Sequence, residues 1–125
     1  MKGTEEMPAG VKESLPCWAE DLGCAITVCD AEFKIIYMNR RSRDTFLRPD
    51  RPELIGHNLL DYHQPASIEI MKSMMEGDHT NCYTVEKAGV KKIIFQTPWH
   101  QEGKVAGLVE ISIPLPAEVP HKVRK

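Results

Sequence analysis

Two strand-like segments near the end of the chain carry apolar residues at odd positions. Ile93, Phe95 and Trp99 lie on the first, and Val105, Val109, Ile111 and Ile113 on the second. Side chains alternate between faces along a strand, and opposed residues of an antiparallel pair point the same way. Pairing odd with odd gives a hairpin with one wholly apolar face and fits a three-residue loop of Glu102, Gly103 and Lys104. In that register Gln96 stands opposite Glu110, and Ile94 opposite Ser112. The even face holds Ile94, Gln96, Ala106, Leu108, Glu110 and Ser112, a mixed set. A one-residue slip would exchange the faces. Either the odd face is core and the even face is wet, or the even face points inward and the apolar odd face is covered from outside.

The rest of the chain supplies partners for this hairpin. Leu15, Trp18, Ala19 and Leu22 recur at helical spacing behind Ser14 as N-cap, with Pro16 in the first turn and Gly23 as the stop. Ala25 to Cys29 and Lys34 to Met38 read as a hairpin turning at Asp30-Ala31-Glu32-Phe33. Asn39 then caps a helix from Arg40 to about Phe46, a role worth about 1 kcal/mol. Leu54 to Tyr62 is expected to hold single-turn helices. Pro65 opens the longest helix, which runs to about Glu76 and stops at Gly77. Ile68, Met71 and Met75 share one face of it, with Ile70 and Met74 beside them. Asn81 to Glu86 adds a further strand, joined to the next by Ala88-Gly89. The expected fold is α+β: a five-stranded antiparallel sheet with helices packed over one face and a short N-terminal helix. The expected organisation is a flexible arm at 1–13, a single domain at 14–115 and a proline-containing basic tail at 116–125.

Composition excludes several classes. Hydrophobic residues make up 42% and charged residues 27%, with a net charge of -2, so neither nucleic acid nor a membrane surface is an expected partner. The apolar runs are too short to span a bilayer, the start lacks a signal-peptide core, and a cytoplasmic location is expected. Cys17, Cys24, Cys29 and Cys82 form no C-x-x-C pair and read as reduced, mostly buried thiols. Arg40, Arg41, Arg43, Arg48 and Arg51 cluster, but Asp44, Asp50 and Glu53 partly neutralise them, which fits a solvated face.

The stretch Glu53-Leu54-Ile55-Gly56-His57-Asn58-Leu59-Leu60-Asp61-Tyr62-His63-Gln64-Pro65 begins 14 residues after Asn39 and precedes one helix and three strands. That order resembles a PAS domain from about Cys24 to Leu115, closest in flavour to small stand-alone bacterial PAS proteins. His63 resembles the His-Pro step of such domains, with Gln64 inserted. Gly56-His57-Asn58-Leu59 resembles the start of the flavin-binding light sensors, but Leu59 replaces their reactive cysteine. Ala66 to Glu76 lacks the histidine that haem-binding relatives often carry. The expectation is therefore a domain without cofactor or resident metal. His57, Asp61 and His63, or His79 with Cys82, make only weak metal patterns.

The resemblance implies that Ile94, Gln96, Leu108 and Ser112 face the helices and any ligand. With Glu110, Met71, Met75 and His63 they form the candidate pocket, in which a carboxylate facing a carboxamide could orient a ligand's donors. The leading reading is a sensory, signal-transducing module, not an enzyme. It would bind an unidentified small, partly apolar ligand and signal through a homodimer or a separate output protein. The chain carries no kinase, cyclase or DNA-binding segment of its own. One alternative is a ligand-free interaction and dimerisation module. The other is a small enzyme using Glu110 or His63 as base.

Overall fold

The computed structural model describes residues 17–50 and 53–125; Ser14, Leu15, Pro16 and the arm at 1–13 lie outside the described residues. Helix α1 (Cys17–Glu20) is followed by β1 (Ala25–Asp30), β2 (Ile35–Met38) and α2 (Arg40–Phe46). A 3₁₀ turn (Leu59–Tyr62) leads into α3 (Pro65–Gly77), then β3 (Asn81–Lys87), β4 (Val90–Gln101) and β5 (Lys104–Pro114). The strands form one antiparallel sheet in the order β2-β1-β5-β4-β3. No helix among the described residues is long and apolar enough to cross a membrane.

Register decides which face is core. Gln96 pairs with Glu110, Ile94 with Ser112 and Phe95 with Ile111, so parity along the last hairpin is as the sequence dictates. The even residues point inward: Ile94 and Leu108 are buried, while Phe95 and Ile113 on the outer face are 37% and 39% exposed. Met71 and Met74 of α3 close over Cys29 and Leu108, with Phe33, Leu59, Leu60, Ile68 and Met75 packed around them.

Three local expectations change. The β4–β5 turn has two residues, Glu102 and Gly103, because Gln101 pairs with Lys104 and the register shifts at Trp99/His100. Both turn residues have positive φ, 54° and 79°, the left-handed geometry that matches the twist of a two-residue hairpin. A bulge absorbs the extra residue. Next, α3 extends through Gly77, and Asp78 is the left-handed residue that ends it, with φ 52°. Glycine serves Gly77 differently: a Cβ there would lie 2.8 Å from the His79 ring. Finally, Trp18 is 61% exposed whereas Ala19 is buried. The N-terminal helix therefore docks through Ala19 and Glu20 and does not lay its tryptophan on the sheet.

That docking is organised by Asn39, which is fully buried. Its Oδ1 accepts from Ser42 N at 3.0 Å, the expected cap, and from Ile26 N at 2.9 Å. Its Nδ2 donates to Ala19 O at 3.0 Å and Cys24 O at 2.9 Å. One side chain thus ties α2, β1 and the α1–β1 connection together. Nearby, Arg43 forks onto Glu20 and also donates to Met38 O at 2.7 Å. Arg43 holds Glu20 below its ordinary carboxylate value, chiefly through their hydrogen bond. Arg40 pairs with Asp21 at 3.0 Å, so part of the arginine cluster is consumed within the molecule.

The Glu53–Pro65 stretch finishes the sheet's edge. Ile35 N donates to His57 O at 2.9 Å and Gly56 N to Ile35 O at 2.8 Å, so the loop runs along β2 and covers its open hydrogen-bonding edge. Asn58 caps the 3₁₀ turn at Leu60 N and reaches back to Glu32 O. This delivers Leu59 and Leu60 to the core.

Gly107 sits opposite Trp99, whose indole Nε1 crosses it to donate to Cys29 O at 2.9 Å. A Cβ at Gly107 would lie 1.9 Å from that carbonyl oxygen and 2.6 Å from Trp99 Nε1. Gly107→Ala is expected to destabilise the fold by about 2–3 kcal/mol in urea unfolding, because the contact is with backbone that cannot swing aside. Asn39→Ala is expected to cost about 3 kcal/mol, well above a cap alone, because four backbone groups, two buried and two partly buried, lose their partner. Asn39→Asp should cost nearly as much, since it keeps the acceptors and deletes both donors. A loss near 1 kcal/mol for Asn39→Ala with almost none for Asn39→Asp would reduce the residue to a simple cap.

Candidate functional site

The inner face of the sheet is crossed by one hydrogen-bonded polar row. Asn81 on β3 pairs with Gln96 on β4, Gln96 with Glu110 on β5, and Glu110 with Thr27 on β1. Residues opposed across antiparallel strands share a face, so all four side chains stand in line. Asn81 Nδ2 donates to Gln96 Oε1 at 2.9 Å, and Gln96 Nε2 donates to Glu110 Oε1 at 2.7 Å. At the far end, the Thr27 and Ser42 hydroxyls are 2.6 Å apart, linking the row to α2. Leu108, Cys29 and Ile35 lie on one side of this row; Ile94, Ser112 and Ala25 lie on the other.

A cavity of about 240 Å³ opens between this face and the helices. Thr27, Gln96 and Glu110 reach it from the sheet with Cys29, Ile35 and Leu108, while Met71 and Met74 close it from α3. Phe46, Arg48, Leu54, Leu59, Tyr62 and His63 border it from α2 and the following loop. Two shallower hollows adjoin. One shares Met38, Phe46, Arg48 and Leu54 with the cavity. The other shares His63, Met71, Gln96 and Glu110, and adds Asn81 and Tyr83. The Tyr83 hydroxyl is pushed above its ordinary value by burial and by the nearby Glu110 charge.

Of the eight residues singled out in the sequence, Gln96, Leu108, Glu110, Met71 and His63 line this cavity. Ile94 is buried in the same face outside it, Ser112 stands opposite Ile94, and Met75 packs against the core. Met74, fully buried, takes the place expected of Met75. Thr27, Cys29, Ile35, Met38 and Arg48 were not singled out, although Ala25, Thr27 and Cys29 already alternated on β1. The missing information was that β1 pairs with β5, a partner far away in the sequence.

The histidines are engaged locally. His57 Nδ1 lies 3.2 Å from the Tyr62 hydroxyl, His63 Nδ1 2.9 Å from Leu59 O, and His79 Nε2 3.2 Å from Ser73 Oγ. Among the described residues no three His, Cys, Asp or Glu side chains gather as a metal site. The thiols divide: Cys29 is buried, Cys24 half-buried and Cys82 exposed, a departure from the expectation of buried cysteines. Cys82 sits on an edge strand whose residues after Asn81 are all exposed. The side chain of Cys17 lies outside the described residues.

Strand order, flanking helices and the enclosed inner face define a PAS fold. A family model described as "PAS fold" matches residues 19–118, and the chain belongs to that family. No curated protein matches the sequence. The PAS domain of histidine kinase ThkA superposes with a TM-score of 0.59 at 16% identity, covering 72% of this chain and 97% of that one. A sensory box sensor histidine kinase from Vibrio cholerae gives 0.57 at 13% identity, covering 85% and 90%. Vibrio cholerae VqmA gives 0.62 at 18% identity, with 95% of this chain covering 58% of that one. At such identities these structures share the fold.

Burial pushes the Cys29 thiol up to about 11 from an ordinary 9.0. Burial, and then Glu20, push the Tyr37 hydroxyl up to about 12 from 10.0. Both groups are held protonated by the fold, so their contribution is complete below the ordinary values and is lost as pH rises toward the shifted ones. Glu20 acts in the opposite sense: its contribution is lost as pH falls through its lowered value. Stability measured by urea unfolding is therefore expected to decline above pH 9.0, where the Cys29 thiol begins to ionise in the unfolded chain. Under native conditions a thiol reagent followed by peptide mapping should modify Cys82 before Cys24, and Cys29 only on unfolding. Early modification of Cys29 would show that the cavity wall opens readily.

Proposed function

We propose that this PAS domain is a sensory receptor that holds a small, partly apolar ligand between the inner face of its sheet and α3. The observation that carries this reading is the cavity itself: about 240 Å³, walled by Met71, Met74, Leu108 and Ile35, with a few fixed polar groups in Thr27, Gln96 and Glu110. That composition is the one small-molecule sites have, in which apolar walls give affinity and a few placed polar groups orient. The volume lies just below the range of about 300–1,000 Å³ usual for drug-sized ligands, which suits a compact molecule. Methionine walls adapt to shape, which suits a receptor whose helices must respond to occupancy. VqmA, which shares the fold, has been solved bound to DPO, and this supports a ligand-holding role here.

The outer face supports a second element of the proposal, signalling through a twofold contact. Ile93, Phe95, Val109, Ile111 and Ile113 lie together on the outer side of β4 and β5. Phe95 and Ile113 remain exposed there. Pairing the face with its own copy buries that area by the commonest symmetry available to a single chain. VqmA has been described as a dimer, which is consistent with this arrangement. The ligand would then act by favouring one arrangement of helices or subunits and passing it to an output partner.

Native mass spectrometry of freshly purified protein is expected to show a dimer with a small mass excess that denaturation releases. Failing retention of ligand, a compound library should contain members that raise the melting temperature. A bare mass together with a melting temperature that no compound raises would contradict the receptor reading. Ile111→Glu is expected to give a folded monomer at low concentration; an unmodified protein that sediments as a monomer at high micromolar concentration would contradict the dimer.

A further inference from the structure

Hydrogen-bond direction along the polar row fixes what the cavity can recognise. The acceptor-only carboxylate of Glu110 draws the Gln96 amide nitrogen, which donates to Oε1 at 2.7 Å, and leaves the Gln96 oxygen to accept from Asn81 Nδ2 at 2.9 Å. The carboxamide therefore cannot turn its oxygen to the cavity without breaking two bonds. Among the described residues no group donates to Glu110 Oε2. Thr27, opposite Glu110 on the next strand, is engaged with Ser42 at 2.6 Å. Arg48 also borders the cavity, but its Nη1 is turned to the carbonyls of Thr45 at 3.2 Å and Leu47 at 2.8 Å. At the centre of the row, then, the cavity offers a negatively charged acceptor in apolar surroundings.

We propose that the ligand is a small apolar amine whose ammonium group donates to Glu110, with its hydrocarbon body against Met71, Met74 and Leu108. This rests on the ligand-holding reading above and narrows it to a chemical class. A charge-assisted bond from N–H⁺ to a carboxylate is shorter and stronger than its neutral counterpart. A carboxylate ligand would instead meet Glu110 as a like charge, with only the second N–H groups of Gln96 and Asn81 left in the row to donate. Gln96 and Asn81 are positioning residues: they hold one oxygen of Glu110 and leave the other facing the cavity.

Three probes of one shape separate this idea from its parent: cyclohexylamine, cyclohexanol and cyclohexanecarboxylate, each titrated calorimetrically into the full chain. The expected order is amine tightest, alcohol roughly tenfold weaker and carboxylate weakest, as the loss of one charge-assisted bond dictates. Glu110→Gln keeps an oxygen to accept from Gln96, removes the charge and puts an NH2 donor in place of the second carboxylate oxygen. It should cost the amine far more than the alcohol and bring the two to a similar level. If the alcohol binds but the amine binds no better, or the carboxylate binds best, the amine assignment is overturned while the receptor reading stands. If none of the three binds, the amine assignment is overturned, and the receptor reading is decided separately by the native mass and the melting-temperature screen. The ranking on the unmodified protein decides the matter even should Glu110→Gln fail to fold.

Discussion

The carboxamide of Asn39 has two donors and an oxygen with two lone pairs, and every one is used inside the protein. It accepts from α2 and β1 and donates to the two carbonyls that frame the α1–β1 connection. No other side chain of similar size could do this: aspartate lacks the donors, and leucine lacks both donors and acceptors. Because α2 is pinned at Asn39, Ser42 falls beside Thr27, and the loop after α2 runs along the edge of β2. The cavity exists because those positions are fixed. Its roof from α2 and the loop, and its floor from β1, meet at one buried amide.

The second constraint is the inner-face row. A sheet face packed on helices is ordinarily apolar throughout, since each buried polar group must find a partner. Here Asn81, Gln96 and Glu110 are linked across three strands by two hydrogen bonds, and Thr27 is linked to Ser42 from a helix. The row holds one oxygen of Glu110 and leaves the other without a donor among the described residues, at the cavity wall. Such an arrangement favours a molecule that completes it over one that only fills space.

Much of this was legible in the sequence, and what was not has physical causes. The β4–β5 register followed from parity because a short turn brings the strands together, leaving the hydrophobic pattern to select between two faces. The bulge at Trp99/His100 was missed, although Gly107 within a strand was the signal that a backbone or ring approaches closely. Asn39 was readable as a cap, but three of its four bonds reach residues 13 to 20 positions away, which local pattern does not encode. Thr27 escaped for the same reason: its partners on β5 and α2 are set by topology. Met74 rather than Met75 faces the cavity because the angle at which α3 crosses the sheet chooses among neighbouring positions on one helix face.

The central claim is that recognition occurs on the inner-face row and not on the apolar outer face. An NMR titration with cyclohexylamine tests it directly, using protein labelled at side-chain amides and at methionine and isoleucine methyl groups. The account predicts that the side-chain amide signals of Asn81 and Gln96 and the methyl signals of Met71 and Met74 move together and saturate. The methyl signals of Ile93, Ile111 and Ile113 should stay in place. Saturable shifts confined to those three isoleucines, with Gln96 and Met74 unmoved, would contradict it.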